Sequence, residues 1–154
     1  MPTRRAVIVG GGVAIGTVAL AGCLSDDDVE FSFEDVALIE GEPAGVGEYT
    51  EQPDATYGLG DDVWIYVEVV GAPTDDDGTA RLEYTFETET PDGEEWEPVE
   101  REEEWSDADG DLLMIGQSIE TFEDDEPGDY DLTIIVDDQV DGERLTTTET
   151  FTLE

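Results

Sequence analysis

Tyr130-Asp131-Leu132-Thr133-Ile134-Ile135-Val136 decides the fold. Tyr130, Leu132, Ile134 and Val136 fall on one side of an extended chain, with Asp131 and Thr133 on the other. This period of two is that of a strand with one buried face. Asp141-Gly142 turns it into a second run, Arg144 to Leu153, whose threonines favour extended backbone. Working back toward the amino terminus, the same period recurs. Leu112 to Phe122 reads as a strand made less regular by Gln117, which shares a face with Leu113, Ile115 and Ile119. A shorter strand is expected around Trp96 and Val99, after the turn Pro91-Asp92-Gly93. Leu82, Tyr84 and Phe86 alternate with Glu83, Thr85 and Glu87. Val63 to Val70 carries one charge, Glu68, as a central strand does, and Trp64 and Tyr66 within it are expected inside. Val29, Phe31 and Phe33 alternate before the apolar parity shifts to Val36 and Leu38, the mark of a bulge or a change of sheet. No segment carries a sustained helical stripe.

About seven strands joined by Gly, Pro and Asp turns predict an all-β sandwich over residues 29–154. The most specific local sign is Glu126-Pro127-Gly128-Asp129-Tyr130. It resembles the tyrosine corner of immunoglobulin-like and fibronectin type III domains, in which a tyrosine hydroxyl bonds back to the loop preceding its strand. The resemblance implies an immunoglobulin-like β-sandwich, without the paired core cysteines of antibody domains, since the chain has one cysteine.

That cysteine closes the other informative segment. Thr3-Arg4-Arg5, which opens the motif Thr3-Arg4-Arg5-Ala6-Val7-Ile8, precedes 17 uncharged residues, Ala6 to Gly22, and the run closes on Leu20-Ala21-Gly22-Cys23. Two permanently charged guanidiniums hold one end inside while the apolar run enters the membrane. The segment resembles a twin-arginine lipoprotein signal: Arg4 and Arg5 form the twin-arginine motif, and Leu20, Ala21, Gly22 and Cys23 form the lipobox. Val9 stands where a lysine often follows. The resemblance implies cleavage before Cys23, a lipid on its thiol, and residence at the extracytoplasmic face of the cell membrane. Residues 1–22 are then the signal peptide and 23–28 an acidic tether. As a spanning helix, the run sits at the short edge of what crosses about 30 Å of hydrocarbon, and its glycines weaken it. Val7 to Gly12 also looks like the opening of a dinucleotide-binding turn, but Ile15 occupies the position of the third glycine and no strand–helix alternation follows.

Composition sets the environment. The chain holds 44 acidic residues and five arginines, with no lysine and no histidine. All the acids and three of the arginines follow Cys23, which leaves −41 on the mature part. Such a shell repels itself in dilute buffer, and at ~1 M salt the screening length falls to about 3 Å. The pattern resembles proteins of extreme halophiles, and haloarchaea export lipoproteins heavily by the twin-arginine route. Disorder does not account for it, because 13 residues are Phe, Trp or Tyr and the alternation is regular. The charge excludes nucleic acid as a partner.

Without histidine or a second cysteine, Ser–His–acid and Cys–His nucleophiles cannot be assembled, nor can zinc or copper sites of the usual kind. A glycosidase carboxylate pair has no distinguishing signal among so many acids, so a non-enzymatic protein with no resident cofactor is expected. One cation candidate stands out. Asp107, Asp109 and Asp111 sit two apart in Asp107-Ala108-Asp109-Gly110-Asp111, which resembles the opening of an EF-hand calcium loop. Leu112 then replaces the loop glycine and Ser118 stands in place of the bidentate glutamate. Trp96 and Trp105 flank the acidic run and are expected to cover one end of the core rather than form a recognition face, and Met114 is expected in the core. Two function classes follow. One is a membrane-anchored surface lipoprotein whose non-catalytic domain binds an envelope protein or polysaccharide. The other is an accessory lipoprotein of a transport or enzyme complex that binds a cation or small ligand.

Overall fold

A computed structural model describes residues 30–107 and 112–154. Eight strands form two sheets: β1 (Ser32–Ile39), β2 (Thr56–Tyr57), β3 (Val63–Val70), β4 (Ala80–Glu89), β5 (Val99–Trp105), β6 (Leu113–Ile119), β7 (Gly128–Asp138) and β8 (Arg144–Leu153). One sheet runs β1-β3-β6 and the other β2-β8-β7-β4-β5. All pairings are antiparallel except the two-residue β2, which runs parallel to the end of β8. The bounds of β3 and β8 are those expected from sequence. The parity shift in β1 is a bulge between Phe33 and Asp35, where the register against β3 slips.

The two inner faces meet in one continuous core. Val63, Ile65, Val67 and Val69 of β3 face Leu82, Tyr84 and Phe86 of β4, with Tyr130, Leu132, Ile134 and Val136 of β7 and Phe151 and Leu153 of β8 completing it. The buried class alternates strictly along β4 and β7, so the period of two in the sequence is the periodicity of burial. Each fully buried aliphatic or aromatic side chain contributes about 1.5–3 kcal/mol. Trp96 and Trp105 pack on this core as expected, Trp96 5.0 Å from the ring of Tyr130 and Trp105 6.5 Å from that of Tyr84.

Several expectations need correction. Tyr66 is fully buried, as expected, and Trp64 partly so, but neither enters the main core. They share a parity opposite to Val63 and Ile65, and form a second cluster with Ala37 and Ile39, joined by Tyr49 and Met114. This cluster lies on the outside of the three-stranded sheet, so Met114 also belongs there. The segment between β1 and β2 supplies the cover, with Tyr49 set against Tyr66 at 4.3 Å between ring centres. A covered outer face lets a whole strand be apolar without the sheet being buried between two layers. The fifth strand is centred on the acidic run Glu100–Glu104 rather than on Trp96, because Arg101 and Glu103 take the inward positions and the other glutamates face water. The sixth ends at Ile119, where the Thr121 hydroxyl donates to the Asp61 carbonyl at 2.6 Å and accepts the Gly60 N–H at 2.9 Å. Phe122 beyond it is exposed.

The corner ahead of β7 has the expected bond. The Tyr130 hydroxyl donates to the Glu126 carbonyl at 2.5 Å, and the ring stacks on Phe151 at 5.2 Å. Removing this hydroxyl in Tyr130→Phe orphans one carbonyl and keeps the ring. We expect a loss of about 1 kcal/mol in chemical unfolding at constant salt, and an unchanged midpoint would show that the bond contributes nothing.

Candidate functional site

Arg4, Arg5, Leu20, Ala21, Gly22 and Cys23 lie outside the described residues, as do Asp109 and Asp111 of the cation candidate. Asp107 is described: it is exposed in the turn after β5, with φ +52°. Among the described residues no three acidic side chains stand where they could hold one metal ion. No helix of the described residues is long and apolar enough to cross a membrane.

The structure brings together a different group, at the gap between the edge strands β5 and β6 where the two sheets part. Arg101 points inward from β5 and spans this gap. Its Nε donates to Glu103 Oε2 at 2.5 Å, and its Nη1 donates to the Gly116 carbonyl at 2.8 Å and Gln117 Oε1 at 3.3 Å. Gln117, the residue that disturbs the apolar face of β6, is therefore a polar partner of the arginine. Beside them the Tyr84 hydroxyl is buried without a hydrogen-bond partner among the described residues. Burial, and then the Glu103 carboxylate, hold its proton more firmly than in water, while Arg101 opposes them. Outside the gap lies a shallow pocket of about 220 Å3 lined by Glu42, Pro43, Arg101, Met114, Ile115 and Gly116. Pro43 closes on Gly116 so tightly that a Cβ there would meet its ring at 2.6 Å. The lining offers guanidinium donors beside a carboxylate, in a space that suits a few polar atoms.

On the outer face of the three-stranded sheet, two carboxylates stand directly opposite each other, Asp35 on β1 and Glu68 on β3. Like charges so placed repel. Each is met by a tyrosine: the Tyr49 hydroxyl donates to Asp35 at 2.6 Å and that of Tyr66 to Glu68, while the Gly47 N–H donates to Tyr66 at 2.6 Å. Burial first, then these bonds to carboxylates, raise both phenols above their ordinary range. The arrangement pins the covering segment to the sheet.

The surface charge is distributed unevenly over the sheet edges. The exposed positions of β5 are Glu100, Glu102 and Glu104. The free side of β6 is capped at Gly116 by Arg101. By contrast β8 shows water Arg144 and the threonines Thr146, Thr148 and Thr150. Arg144 donates twice to Asp137, at 2.7 and 3.2 Å, and Thr150 donates to Asp131 at 3.1 Å.

No protein-family model matches the chain, and no curated protein matches it significantly. Solved structures do. The C-terminal domain of Wzt is similar at a TM-score of 0.55 with 16% identity, over 80% of this chain and 73% of that one. An immunoglobulin-like protein from Pseudomonas aeruginosa aligns over 82% of this chain and 98% of its own, at a TM-score of 0.44 and 16% identity. A β-glucuronidase from Bacteroides uniformis aligns at 0.48 and 12% identity, but the chain spans only 12% of that enzyme's length. At such identities the likeness to the Wzt domain bears on the fold alone.

Proposed function

We propose that this chain is a membrane-anchored lipoprotein of a halophile, exported through Arg4-Arg5 and held by a lipid on Cys23. It carries a non-catalytic immunoglobulin-like domain outside the cytoplasm, for binding an envelope protein or polysaccharide. The observation that carries the reading is the coincidence, in one amino terminus, of a twin-arginine motif and a full lipobox separated by a weakly apolar run. The strand order supports the immunoglobulin-like assignment. With β1, β3, β4, β6, β7 and β8 taken as strands A, B, C, E, F and G, the sheets read A-B-E and C-F-G. β5 joins the C side instead of the E side. The tyrosine corner stands at the start of the F equivalent, as it does in that fold.

Cys23→Ser removes the thiol that takes the lipid and leaves the domain untouched. The variant is expected in the soluble fraction after cell lysis, with the parent chain in the membrane fraction. Retention of the variant in membranes would mean that residues 6–22 span the bilayer.

A further inference from the structure

The geometry points to β8 as a self-association edge, along which two copies of this chain join their five-stranded sheets across a two-fold axis near Thr147. Three hydrogen bonds fix which way the β8 backbone faces. Asp138 N–H donates to the Glu143 carbonyl at 2.8 Å, so Glu143 faces β7. At the other end Glu154 N–H donates to Tyr57 and its carbonyl accepts Leu59 N–H, both at 3.1 Å, so Glu154 faces away from β7. The register between β7 and β8 runs without a slip from Gly128↔Leu153 to Asp137↔Arg144, so backbone direction alternates regularly between those ends. Arg144, Thr146, Thr148 and Thr150 therefore turn their N–H and C=O groups outward. β2 covers β8 only at Thr152 and Leu153. Among the described residues, the outward groups of those four positions have no backbone partner.

Sheet edges of this length are normally blunted by charge, proline or a bulge. β5 is blunted by its glutamates and β6 by Arg101, whereas the exposed row of β8 holds three threonines and one arginine. In a chain of net charge −39, that row is where a second copy can approach without setting carboxylate against carboxylate. The row is also self-complementary. An antiparallel two-fold at Thr147 sets Arg144 against Thr150 and Thr146 against Thr148 of the other copy. All four are outward-facing, which allows about eight ladder hydrogen bonds. Each Arg144 then lies two strand spacings, ~10 Å, from Asp131 of the other copy, within reach of its long side chain, while the two arginines stay about 20 Å apart. Repulsion between the remaining charges makes the association depend on salt.

Sedimentation of the full chain at ~1 M salt, in density-matched detergent where a lipid is attached, tests this directly. A dimer that dissociates on dilution is expected. Thr148→Pro should render it monomeric with unchanged circular dichroism, because the N–H it deletes points away from β7. Thr148→Glu, at an exposed position, should weaken the dimer at least tenfold. A chain that stays monomeric at every concentration, or a dimer indifferent to both substitutions, would overturn the inference. So would a monomer whose amides at Thr146 and Thr148 exchange slowly with solvent, since something other than a second copy would then cover the edge.

Discussion

Moved from ~1 M salt into dilute buffer, the domain is expected to lose its β-sheet circular dichroism and its cooperative unfolding transition. The reason is the imbalance of charge. The described domain has three arginines, Arg81, Arg101 and Arg144, and each is already engaged by a carboxylate: Asp75 at 2.9 Å, Glu103 at 2.5 Å and Asp137 at 2.7 Å. Among the described residues no further arginine is left to offset the acidic rows on the five-stranded sheet, where Glu83 stands opposite both Asp137 and Glu102. Cross-strand like charges destabilise by up to about 1 kcal/mol each even in solution, and net stability of a domain is only about 5–15 kcal/mol. Salt reduces the interaction length to about 3 Å and relieves this repulsion without touching the core. The check is a salt titration followed by circular dichroism. A spectrum unchanged in dilute buffer would show that core burial alone outweighs the charge.

Gly128→Ala produces the largest loss expected from any single substitution at a turn. Gly128 opens β7 with φ +139°, a conformation closed to L side chains, and a Cβ there would stand 2.8 Å from Cγ of Pro91. The backbone strain alone costs about 1–3 kcal/mol, and the contact adds to it because Pro91 belongs to the turn after β4 and has no rotamer to yield. Displacing either chain also shifts Tyr130, two residues on, off its carbonyl at Glu126. Gly142→Ala serves as the control. Gly142 has φ +83° but open space around its Cα, so it bears the strain term without the contact. Denaturant unfolding of both variants at constant high salt should rank Gly128→Ala well below Gly142→Ala. Equal losses would remove the Pro91 contact from the account.

These two residues also mark what the sequence could and could not reveal. Strand positions with one dry face were readable because burial alternates with the pleat, as along Leu82 to Phe86 and Tyr130 to Val136. The corner was readable because glycine and tyrosine stand at a fixed offset. What buries Trp64 and Tyr66 was not readable, for a physical reason: an apolar run does not say whether its second face meets another sheet or a covering loop. That cover comes from Pro43 and Tyr49, whose segment has no period to follow. The group around Arg101 left two faint signs, one base inside an acidic run and one glutamine on an apolar face. Only the pairing of inter-sheet edges joins Arg101 on β5 to Gln117 on β6. That β8 has no strand beside Arg144 to Thr150 among the described residues is invisible in sequence, because a threonine-rich strand looks the same whether or not another strand lies beside it.

The most direct test is mass spectrometry of the amino-terminal peptide of the protein purified from the cells that make it. The expected result is a chain that starts at Cys23, with the added mass of a lipid on that residue and Met1 to Gly22 absent. A mature chain that keeps Met1 to Gly22 and an unmodified Cys23 thiol would contradict it.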